Sequence, residues 1–80
     1  MINEQAQYIA KMYFDGKCFI EVSITGKKLK KIKDGLNVPF VEISYIDGTI
    51  LLIQTSKITR ISAFEEEFIR SDLGVVSDDI

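Results

Sequence analysis

The chain has no histidine and no tryptophan, and only one cysteine and one proline in 80 residues. Each absence removes a class of chemistry. Without histidine, no side chain titrates near neutrality by default, and the usual base for a nucleophilic serine or cysteine is missing. One cysteine and no histidine leave a zinc site without its usual ligands. Cys18 can form no intrachain disulfide, and its place in a strand-like run reads as a buried thiol. The five glycines are isolated in turns, so there is no phosphate-cradling loop. No apolar run approaches the roughly 18–20 residues of a membrane-spanning helix. The opening MINEQAQYIA lacks the basic and apolar regions of a secretory signal. The expectation is a cytoplasmic protein with no membrane partner, no metal, no cofactor and no enzymatic activity.

What remains is globular. Hydrophobic residues make up 46% of the chain, too many for a disordered segment. Residues 1–80 read as a single domain. A core this small is marginally stabilising, so a homo-oligomer is expected. Charge is unevenly spread. Residues 1–35 hold seven lysines against four carboxylates, a local +3. Residues 36–80 hold three basic residues against eight acids, a local −5. Such a two-signed surface suits self-association or a charged partner. Abundant isoleucine and lysine with scarce alanine and arginine is the bias of AT-rich genomes, such as those of low-GC bacteria and their phages.

The strongest local signal is Val41 to Phe64, VEISYIDGTILLIQTSKITRISAF. Asp47-Gly48 between β-formers predicts a hairpin with a two-residue type I′ loop. That loop would place Val41, Ile43 and Tyr45 on one face with Ile50, Leu52 and Gln54. Phe40, Glu42, Ser44 and Ile46 would share the other with Thr49, Leu51, Ile53 and Thr55. Both faces are at least half apolar, which predicts cover on two sides. Ile58 and Ile61 are three apart and cannot share one face of a straight strand. A single helical or 3₁₀ turn between two strands would turn both inward. Upstream, Ile2, Ala6, Ile9 and Met12/Tyr13 recur at helical spacing and predict a helix over 2–13. Lys17 to Thr25 alternates as a strand with Cys18, Ile20, Val22 and Ile24 on one face. Residues 26–37 read as one helical turn anchored by Leu29 and Ile32, or as a charged edge strand. Phe64 and Phe68 suggest a short C-terminal helix, and Leu73 to Ile80 a tail.

These elements predict a mainly β (α+β) fold: an N-terminal helix followed by a bent antiparallel sheet or small barrel of four to five strands over 17–64. The order of elements resembles the Sm-like family of bacterial and archaeal RNA-binding ring proteins over about residues 2–64. The residues that carry the likeness are GTILLIQTSKITRIS, similar to the family's second motif. Small barrels of SH3 type end in the same way. The resemblance implies an RNA-binding ring. The family's Asp-aromatic-Asn signature does not occur here, and Thr59-Arg60-Ile61 stands where the bacterial branch has Tyr-Lys-His. No binding residue is therefore carried over.

Two groups of residues are candidate sites. Lys27, Lys28, Lys30, Lys31 and Lys33 could engage phosphates of RNA or of a small nucleotide, or an acidic protein surface. The plainer reading is a solvated loop, or an edge strand that lysine protects from aggregation. Phe19, Phe40 and Ile46 fall on nominally polar faces and suggest a contact surface. Glu21 and Glu42 could share a proton if their strands were adjacent, though such residues usually point outward. Glu65-Glu66-Glu67 and Asp78-Asp79 lack calcium-loop spacing. The leading expectation is a small binding or regulatory protein, a phage or prophage inhibitor acting on a protein partner as an oligomer. The alternatives are an RNA-binding ring and a sponge for a small signalling nucleotide.

Overall fold

In QYIAKMYF, Tyr8, Ala10, Met12 and Phe14 alternate with Gln7, Ile9, Lys11 and Tyr13. Tyrosine, isoleucine and phenylalanine favour pleated surfaces. This segment forms strand β1 (Gln7–Phe14), and the helix expected over 2–13 does not form. The computed structural model describes residues 1–15, 17–35, 37–68, 70 and 72–77. After β1 come β2 (Cys18–Thr25), α1 (Gly26–Asp34), β3 (Phe40–Ser44), β4 (Ile50–Gln54), a 3₁₀ turn (Thr55–Lys57), β5 (Arg60–Glu66) and β6 (Gly74–Val76). The strands form one six-stranded sheet in the order β4-β3-β6-β2-β1-β5. The β2–β6 pair is parallel and the others are antiparallel. The chain is mostly β. The expected N-terminal helix and four- to five-stranded antiparallel sheet are replaced by a helix in mid-chain and a six-stranded mixed sheet.

This sheet cannot lie flat. Its outer strands, β4 and β5, are joined by residues 55–59 alone. Six strands laid flat put their edges roughly 24 Å apart, whereas the joining backbone reaches about 20 Å fully extended. The sheet therefore bends, and the 3₁₀ turn crosses between its ends. The Thr55 amide donates to the Pro39 carbonyl (3.0 Å) and the Thr59 amide to the Tyr13 carbonyl (2.8 Å). Ile58, directly after the 3₁₀ turn, and Ile61, in β5, both pack against the core, the inward placement their spacing predicted. The concave face buries Tyr8, Ala10, Met12, Val22, Ile24, Val41, Ile43 and Val76. Burying each large aliphatic side chain here contributes about 1.5–3 kcal/mol.

The helix packs against one end of this core. The Thr25 hydroxyl caps it by accepting the Lys28 amide (3.1 Å), and Gly35 ends it in the left-handed region at φ 66°. Leu29 is buried and Ile32 half-buried against the sheet. Of the two readings of residues 26–37, the helical one holds, over more than two turns rather than one.

Two corrections concern the C-terminal part. Phe64 lies in β5 rather than in a helix, and Gly74–Val76 is a strand rather than a tail. After β5, the chain returns over the convex face and inserts β6 between β2 and β3. The Ser23 hydroxyl donates to the Arg70 carbonyl (3.2 Å), and both Ser23 and Ile9 are fully shielded on this face. Gly74 has no room for a side chain, because a Cβ there would overlap the Ile43 side chain.

The Asp47-Gly48 hairpin forms with a three-residue loop. Tyr45 and Thr49 form its closing pair, with the Tyr45 amide donating to the Thr49 carbonyl (2.9 Å) and the Gly48 amide to the Tyr45 carbonyl (3.0 Å). Gly48 takes φ 93°, the positive-φ residue such loops require. One extra loop residue shifts the register by one and turns every β4 side chain to the opposite face. Val41 now faces Ile53, Ile43 faces Leu51 and Ser44 faces Ile50. The Asp47 carboxylate accepts the Thr49 amide (2.9 Å), and this bond, with the Thr49 side chain, holds its pKa below the ordinary 3.8.

Two outcomes are expected. Gly74→Ala lowers stability in urea unfolding by roughly 1–3 kcal/mol, the usual cost of overpacking, and speeds hydrogen exchange along β2. An unchanged midpoint would remove β6 from the sheet. Because Asp47 is more acidic folded than unfolded, its contribution is present above pH 3.8 and fades as pH falls through the lower folded value. The Thr49 amide resonance should titrate with a midpoint below 3.8. A midpoint at or above that value contradicts the Asp47–Thr49 bond.

Candidate interaction surface

The register shift decides what the hairpin shows to solvent. On the convex side of β3–β4, Phe40, Glu42 and Ser44 now lie beside Ile50, Leu52 and Gln54. The exposed fractions are 49% for Phe40, 62% for Ile50 and 61% for Leu52, and Ile46 at the hairpin tip reaches 86%. The two-sided cover expected for the hairpin is thus present on the concave side only. The returning C-terminal segment meets Ser23 on this side, while this apolar strip stays exposed. Sequence reasoning found Phe40 and Ile46 and missed Ile50 and Leu52, because a two-residue loop turns them inward.

Strand β4 is also an edge. Among the described residues its far side meets no strand, and ILLIQ carries neither charge nor proline. Natural edges are usually protected by lysine, proline, bulges or cover, and β4 has no charge or proline to serve. The other edge, β5, carries Arg60, Glu65 and Glu66.

Phe19 does not belong to this surface. Ser23 is level with Val75, and Val75 with Ser44, which puts Phe19 and Phe40 at opposite ends of the sheet. Phe19 joins a separate ladder with its cross-strand partner Tyr13, ring centroids 5.4 Å apart. The Lys11 ammonium lies 5.2 Å from the Phe19 ring, and the Arg60 guanidinium 4.2 Å from the Tyr13 ring. Cations over ring faces are held by the ring quadrupole, so the ladder fixes these side chains in place.

The helix divides the lysine cluster. Lys27, Lys30 and Lys33 are exposed and Lys31 is half-buried, but Lys28 is only 3% exposed. Lys28 lines a cleft with Phe40, Glu42 and Leu52. Lys30 is paired with Glu4 at 3.1 Å. Lys31 and Lys33 sit in the last helical turn, where cations complement the helix dipole. The exposed cluster is therefore narrower than the sequence run. Lys33 instead borders a cavity of about 720 Å³ between α1, the 3₁₀ turn and β5.

Other expectations are corrected by placement. Cys18 is exposed, because it sits at the hairpin end of β2 where the concave row runs past the core. Glu21 and Glu42 are exposed on strands that β6 separates, so they form no carboxylate pair. Among the described residues no three His, Cys, Asp or Glu side chains gather as a metal site, and Asp78-Asp79 lies outside them. No described helix is long and apolar enough to cross a membrane. The chain matches no protein-family model, no curated protein and no solved structure.

Replacing Arg60 by alanine should cost about 0.5–1 kcal/mol, the range for an exposed cation–π pair, and shift the Tyr13 ring protons in NMR spectra. Unmoved Tyr13 resonances would mean that the stack does not form in solution.

Proposed function

We propose that this chain is a non-enzymatic binding protein that works as an oligomer and acts by occupying a protein partner, in the manner of small phage inhibitors and regulators. The observation that carries the reading is the uncovered apolar strip of Phe40, Ile46, Ile50 and Leu52 beside an unprotected edge strand. A contiguous apolar patch of this kind is the usual mark of a protein contact. An uncharged edge can add a strand from another chain, with backbone bonds supplying affinity and alternate side chains supplying specificity. Self-association would use the same edge, since ILLIQ meets its own copy without charge conflict.

The RNA-ring and nucleotide-sponge readings draw on the lysines of α1. Burial of Lys28 and pairing of Lys30 with Glu4 leave Lys27, Lys31 and Lys33 to carry them. The β3–β4 strip is the larger anomaly, and a protein contact accounts for it directly.

Light scattering on a sizing column tests the reading. The wild-type chain at about 100 μM should elute as an oligomer. Leu52→Glu, at a solvent-facing position, should elute as a monomer with an unchanged circular dichroism spectrum, because a buried unpaired carboxylate opposes association. A monomeric wild-type chain, or an oligomer indifferent to Leu52→Glu, would overturn it.

A further inference from the structure

The cavity between α1, the 3₁₀ turn and β5 is independent of the β3–β4 strip and has a chemistry of its own. Leu29 and Ile32 supply one wall and Ile58 and Ile61 the other, with Ala63 at the β5 end. Its volume of about 720 Å³ falls within the range of small-molecule sites. Among the described residues around it the charged side chains are two cations, Lys33 and Arg60, and Met1 also borders it. The Arg60 guanidinium is turned away onto the Tyr13 ring, which leaves Lys33 as the side-chain cation available to an occupant. The Thr55 and Thr59 hydroxyls are committed to the Val38 and Tyr13 carbonyls, so the 3₁₀ side offers few free donors.

We propose that this cavity binds a small amphipathic carboxylate, with its aliphatic body against the isoleucines and its acid group at Lys33. A nucleotide fits the lining poorly. Among the described residues Tyr8 is its one aromatic side chain, and the Tyr8 hydroxyl already accepts the Asn3 amide (2.8 Å). Among the described residues no Asn, Gln, Asp or Glu side chain borders the cavity to read a base edge. Solitary lysine charge and a mostly aliphatic wall match a monoanion with an apolar tail.

Two-dimensional amide NMR with decanoate, kept below its micelle concentration, tests the proposal, with decanol as the neutral control. Decanoate should perturb Leu29, Ile32, Ile58 and Ile61 and bind more tightly than decanol. Lys33→Gln should weaken decanoate about two- to fivefold, the range for an exposed ion pair, and leave decanol unchanged. Ala63→Leu should weaken both by filling the cavity. Equal affinity for decanol and decanoate, perturbations confined to Phe40, Ile50 and Leu52, or no binding would each overturn it.

Discussion

Everything in this domain follows from the shortness of the link between β4 and β5. Five residues join the two edges of a six-stranded sheet, and they can do so only if the sheet bends. Bending gives the chain a concave interior where isoleucine, valine and methionine can be dry. It also creates an open end, which α1 and the 3₁₀ turn flank without filling. The link is held by backbone bonds from Thr55 and Thr59 to the segments before β3 and at the end of β1.

The convex side receives unequal treatment. The return of the chain from β5 to β6 meets Ser23 on this side, and among the described residues nothing comparable crosses β3–β4. A small domain has little chain to spare for a second layer. Here that chain is spent over β1 and β2, where β6 must also be threaded into the sheet. The hairpin is left with an apolar outer face and an uncharged edge, two features that a free-standing monomer rarely combines. The exposed surface thus follows from topology, and the functional reading follows from the surface.

How much of this was legible in the sequence depends on how local each signal was. The 3₁₀ crossing was legible, because Ile58 and Ile61 violate period two within four residues. Strand β2 was legible, because its alternation is clean. Strand β1 was not. Ile9 sits on the convex face and is nonetheless buried, which gave a two-period strand a false helical spacing. The hairpin was recognised but its register was not, since loops of two and three residues both suit Asp-Gly and only tertiary fit separates them. Strand β6 is three residues long, too short for any periodicity, and its place depends on Gly74 fitting against Ile43. The candidate surface was half legible for the same reason: Phe40 stays outward in either register, while Ile50 and Leu52 change sides.

The central claim is that the β3–β4 hairpin is left open for another protein chain. Amide hydrogen exchange measured across a hundredfold range of protein concentration tests it most directly. Exchange in residues 50–54 should slow as concentration rises, while exchange in β1 and β2 stays constant. Exchange in β4 that is independent of concentration, or protection that grows instead along β5, would contradict the claim.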